Sequence, residues 1–136
     1  VYLGAGCATG SPVTLNASNG SIPWLGDRLT VTLNGEPPSA PAWMATGFSS
    51  TQWGSTALPF DLGSVGAPSC WLRIDPFVWY PMTRNAQGRA EWSIAIPTST
   101  ALIGASFYNQ ALALHASANP LGAILSAAMH GVIGAR

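Results

Sequence analysis

The segment RLTVTLN, residues 28–34, puts Leu29, Val31 and Leu33 on one side of an extended chain and Thr30, Thr32 and Asn34 on the other. A period of two is the mark of a half-buried strand, and the Pro-rich loop NGEPPSAP stops it at once. The same alternation returns along the chain, always cut short by Gly, Pro or Asn. In EWSIAIP, Trp92, Ile94 and Ile96 alternate with Ser93 and Ala95; in CWLRID, Cys70, Leu72 and Ile74 oppose Trp71, Arg73 and Asp75. Further strands are expected in 12–18, 42–50, 77–83 and 105–116, the last with ambiguous facing, and one helical turn in 98–104. With 15 Gly and 11 Pro to punctuate them, these segments predict an all-β, single-domain antiparallel β-sandwich, jelly-roll or Ig-like, of about seven to nine strands. An extended arm, residues 1–11, precedes a sandwich domain over 12–136.

The tail NPLGAILSAAMHGVIGAR, residues 119–136, is the one place where a helix competes. Asn119 could cap it, Pro120 suits a first helical position, and Leu121, Ile124, Leu125, Ala128 and Val132 keep helical spacing. A lone terminal helix needs an uncovered sheet face to pack on, so the strand-rich remainder favours a turn at 119–123 and a closing strand over 124–133. Met129 and Ile133 then point inward, and the small residues Ala127, Ala128 and Gly131 would let another backbone approach.

Charge narrows the partners. Only 7% of residues are charged, against about 25% in ordinary soluble domains, and the five cations are all Arg, balanced by five acids. A neutral chain has no field to hold nucleic acid or an anionic membrane surface, and no apolar run approaches the roughly 20 residues that span a bilayer. Low net charge instead removes the repulsion that keeps copies apart. The polar surface is then Ser, Thr, Asn and Gln, as on extracellular structural proteins, and the start at Val1 fits removal of a signal peptide.

No catalytic motif stands out. His115 and His130 lack nearby acids, there is no G-x-S-x-G, and Asp27, Asp61 and Asp75 sit in turn contexts, while Glu91 lies on the polar side of a strand. Neither an enzyme activity, a metal site nor a cofactor is expected. Two readings of the cysteines stay open: buried thiols, or a Cys7–Cys70 disulfide favoured by the secreted-looking composition. Such a bond would close a 63-residue span (70 − 7) and stabilise by roughly 4 kcal/mol. Trp71, Trp79 and Tyr80 offer a candidate aromatic platform for sugar rings; the competing reading places these rings in the core or at a subunit interface.

Several phrases occur in a recognisable order: Gly6-Cys7, WLGDRLTVTLNGEPPSAPAWMATGFS (24–49), LPFDLGSVGAPSCWLRIDP (58–76), NAQGRAEWSIAIP (85–97), LIGASFYNQALALH (102–115) and SAAMHGVIG (126–134). Together they resemble a group of secreted bacterial β-sandwich domains of planctomycete and myxobacterial type. The resemblance implies an extracellular or cell-surface β-sandwich, a Cys7–Cys70 pairing, and a terminal strand in the tail, where Gly131 departs from the group's usual large residue. The expected function is a secreted structural subunit that polymerises with copies of itself into a filament or surface layer, by adding a terminal strand to a neighbour's sheet. Candidate contact residues are Val1, Tyr2, Leu3, Ala127, Met129 and Val132. The alternative is a carbohydrate- or matrix-binding module whose partner is extracellular polysaccharide.

Overall fold

The computed structural model describes residues 2–3, 14–17, 23–34, 41–67, 70–84, 89–114 and 121–134. In chain order the strands are β1 (Tyr2–Leu3), β2 (Thr14–Ala17), β3 (Arg28–Asn34), β4 (Ala42–Gly47), β5 (Gln52–Trp53), β6 (Thr56–Ala57) and β7 (Phe60–Asp61). There follow β8 (Trp71–Leu72), β9 (Val78–Pro81), β10 (Thr83–Arg84), β11 (Ala90–Ala95), β12 (Ser106–Leu114), β13 (Ala123–Leu125) and β14 (Ala128–Val132). Two short 3-10 turns, Leu62–Val65 and Thr100–Leu102, are the only helical pieces among the described residues. The second lies where the sequence predicts a helical turn. The protein is all-β, as expected. Eight of the fourteen strands have three residues or more; the others are two-residue ladders, too short to show a period in sequence.

A six-stranded sheet runs β1-β14-β12-β4-β9, with β13 also pairing β12, and a four-stranded sheet runs β10-β11-β3-β2. Every ladder between these strands is antiparallel. The core lies between the two sheets. Leu29, Val31 and Leu33 of β3, Ala90 and Trp92 of β11 and Leu15 of β2 face Ala42, Met44, Phe107, Ala111, Ala113 and Met129. Each fully buried Leu in that layer contributes about 2 kcal/mol from leaving water, so the alternation read at 28–34 corresponds to the drive that joins the sheets. Residue 82 alone separates β9 in one sheet from β10 in the other. The chain turns this corner by bending, as strands that switch sheets do. There the Met82 N–H donates to the Ala42 carbonyl at 2.9 Å, and its side chain packs against the core. Pro81, which cannot donate to a ladder, sits on the edge strand.

The tail is strand, not helix, and it carries a bulge. Between the pair Leu112–Leu125 and the pair Asn109–Met129, β12 advances three residues and its partner four. An extra residue of this kind normally breaks the hydrogen-bond ladder. Ser126 repairs it: its N–H donates to the Ala111 carbonyl, while its Oγ accepts the Ala111 N–H at 2.9 Å and donates to the Ala127 carbonyl at 2.8 Å. The turn before β13 is described at Leu121–Gly122; positions 119 and 120 lie outside the described residues.

Facing along β12 is settled by a strap. Phe107, Asn109, Ala111 and Ala113 are buried on the inner face, with the Thr46 hydroxyl donating to Asn109 Oδ1 at 2.8 Å. Gln110, in register with Ala45 on the outer face, is buried as well, because residues 71–75 cross above it. Its Nε2 donates to the Trp71 and Ser126 carbonyls, both at 2.9 Å, and its Oε1 accepts the Arg73 N–H at 2.9 Å. Ile74 packs below the strap with Ala45 and Ala128. The strap lies so close to β4 that a Cβ on Gly47 would overlap the Asp75 carbonyl. Gly47→Ala is therefore expected to lower the unfolding free energy by about 1–3 kcal/mol. Gln110→Ala, which strips one buried and two part-buried main-chain groups of their partner, should cost at least about 2 kcal/mol. Urea unfolding followed by Trp fluorescence measures both.

Candidate functional site

The edge of the larger sheet is built by the tail and closed by the arm. β14 pairs β12 on one side; on the other, Tyr2 is in register with Met129 and Leu3 with Ala128. Without β1 the Ala128–Met129 backbone would face water as an open strand edge, a template for pairing with another chain. The arm thus sits on its own chain's edge. The far end of the tail is also held within the chain: Trp24 and Gly134 form a parallel bridge, with the Leu25 N–H donating to the Gly134 carbonyl at 2.8 Å.

The expected contact residues separate into groups. Val1 lies outside the described residues. Ala127 and Met129 are 6% and 8% exposed, and Met129 belongs to the inter-sheet core, so their side chains are not offered to another molecule; Met129 pairs the arm in the β1–β14 ladder. Val132 is half exposed on the outer face. Gly131 does not make room for a foreign backbone either, because a Cβ there would overlap the Phe107 ring. Small size at this position serves the core.

The aromatic platform divides for a simple reason. Trp79 and Tyr80 are consecutive on β9, so strand alternation sends them to opposite faces of the sheet. Trp79 lines a shallow apolar depression with Trp43 and Leu112 on the outer face. Tyr80 reaches around the sheet corner to Trp92, with ring centroids 6.3 Å apart. These two and Pro81, Thr83, Glu91, Ser93 and Ile94 line a cleft of about 330 Å³. Trp71 is exposed and lines neither hollow. Sequence reasoning placed Trp92 inward and Glu91 and Ser93 outward, but had no signal that β9 and β11 meet at a corner. It also missed the exposed edge-to-face pair Phe48–Phe77, 5.6 Å between centroids.

Among the titratable groups, Asp61 serves a turn: its Oδ1 accepts the Gly63 N–H at 2.8 Å at the start of a 3-10 turn. Asp75 lies in the strap, its N–H donating to the Ser49 carbonyl at 2.8 Å. His130 stacks on Tyr108 at 4.7 Å, while His115 and Glu36 lie outside the described residues. No group of three His, Cys, Asp or Glu able to hold a metal occurs among the described residues. Cys70 is buried, packs against the core and carries no free thiol; Cys7 lies outside the described residues. No helix among the described residues is long and apolar enough to cross a membrane.

No protein-family profile, curated protein or solved structure matches the chain. The resemblance to secreted bacterial β-sandwich domains rests on its sequence phrases alone.

Replacing Met129 by Ala is expected to cost about 2–5 kcal/mol as a core truncation, and Val132→Ala less than about 0.5 kcal/mol. Thermal and urea unfolding of the two variants will distinguish core residue from surface residue.

Proposed function

We propose that the chain is a secreted structural subunit that assembles with copies of itself into an extracellular filament or layer on a bacterial cell surface, by exchanging its N-terminal strand. The pairing of β1 with β14 carries this reading. Two arm residues complete a sheet edge through the main chain, and the same ladder forms when the arm comes from a neighbouring copy. The closed and exchanged forms then contain the same hydrogen bonds, and concentration decides between them. A formal net charge of zero leaves no long-range repulsion to oppose the approach of a second copy.

A Cys7–Cys70 disulfide fits this scheme as an anchor for the arm. From Cys7 back to Leu3 the chain spans four residues, at most about 14 Å when extended. An arm so tethered can reach only a copy whose β14 edge lies close by, which favours one repeated contact over loose entanglement. If the bond forms, the oxidised protein should be two hydrogens lighter than the reduced one by mass spectrometry. Cys70→Ser should then lower the unfolding free energy by roughly 4 kcal/mol.

Light scattering after size exclusion, with negative-stain electron microscopy, tests the assembly. The full chain under oxidising conditions is expected to form polymers of regular repeat, and a variant lacking residues 1–3 to remain monomeric. A full chain that stays monodisperse and monomeric at high concentration overturns the proposal.

A further inference from the structure

The two sides of the large sheet differ in what their main chains offer. Along an antiparallel pair, hydrogen-bonded and open positions alternate, and two bonds decide which is which. At β9, the Met82 N–H donates to the Ala42 carbonyl at 2.9 Å, in the register of the β4–β9 pairs. Val78 and Tyr80 therefore turn their main-chain groups toward β4, and Trp79 and Pro81 turn theirs away from the sheet. At β14, the Ile133 N–H donates to the Ala105 carbonyl at 2.9 Å, in the register of the β12–β14 pairs. Ala128 and Val132 therefore face the arm's side. On that side Ala128 is in register with Leu3, and Gly134 donates to the Pro23 carbonyl and accepts the Leu25 N–H.

We infer that β9 is a guarded edge: it does not accept a strand from a second copy, and the large sheet takes an added strand only at β14. Among the described residues no strand pairs the far side of β9. Pro81 has no N–H to give, and the Phe77 N–H is turned back onto the Asp75 carbonyl at 2.9 Å. Trp79 is left as the only outward donor from Phe77 to Pro81. An incoming strand needs a donor at every second position, so beside 77 and 81 its carbonyls would lose water and gain nothing. Residues 128–134 contain no Pro, and each second one brings a donor and an acceptor to the arm's side. The flank of β9 makes a guard necessary, because Phe77 and Trp79 are 71% and 42% exposed. An apolar edge strand is a template for edge-to-edge pairing, which Pro on the edge blunts. The consequence for assembly rests on the strand-exchange reading: successive copies are linked through their arms and not by fusing large sheets edge to edge.

Amide hydrogen exchange and light scattering on the full chain test the guard. In the native chain the Trp79 amide should exchange at least about tenfold faster than those of Tyr80 and Met82, in monomers and assemblies alike. Pro81→Thr restores the missing donor and should lower the concentration for half-association at least about tenfold, with the Trp79 amide now protected. Adding Trp79→Pro to Pro81→Thr removes the other outward donor without breaking a bond to β4, and should reverse the effect. Adding Trp79→Ala keeps that donor and should not. Protection of the Trp79 amide in assemblies of the native chain overturns the guard, and this reading decides the matter if Pro81→Thr does not fold. A folded Pro81→Thr chain that associates no more readily than the native one overturns it as well. A native chain that stays monomeric counts against strand exchange alone, since the amide pattern and the Pro81→Thr comparison are still read on it.

Discussion

Three main-chain groups from two segments meet on one buried side chain, the amide of Gln110. It joins the strap at Trp71 and Arg73 to the bulged tail at Ser126, across the middle of the longest strand. A buried amide is costly when any of its bonds is missing and specific when all are made. With Gln110 in place, the outer face of the large sheet can be covered by an irregular segment without leaving those backbone groups dry and unpaired. The close approach at Gly47, the packing of Ile74 on Ala128 and the repaired bulge at Ser126 all lie around this point.

The elements legible in sequence are those whose period survives to full burial on one side. β3 and β11 alternate as written, and the strap keeps Cys70, Leu72 and Ile74 buried although only Trp71 and Leu72 form strand. β12 could not be oriented from sequence because the strap buries its outer face too, which makes Gln110 look misplaced among Ala and Leu. The tail, read as strand, admitted a competing helix for another reason. One extra residue between β13 and β14 shifts the alternation by one, and apolar positions on either side of such a shift fall by chance on helical spacing. Ser126 was the available signal, a lone hydroxyl at the centre of an apolar run.

Candidate sites were less legible than folds because they depend on which strands become neighbours. Adjacent aromatics in VWYP look like one platform in a string of letters, yet in a strand adjacency means opposite faces. Tyr80 gains its partner from β11, ten and more residues along, through a corner that no local pattern announces. Near the tail, apolar or small residues suit a subunit contact and a core equally well, and the core takes Met129 and the space beside Gly131. The arm meets that edge through main-chain pairing, a feature with no sequence letter of its own.

The single residue at the corner has a mechanical meaning. Since β9 and β10 are continuous through Met82, tension applied to one sheet passes covalently into the other within two residue steps, about 6.6 Å of chain. The layers cannot slide past each other at this corner by more than that length before the peptide itself is loaded. The chain crosses between the sheets elsewhere too, from β1 to β2, β3 to β4 and β11 to β12, so the two layers behave as a laminate stitched at several seams, of which this is the shortest.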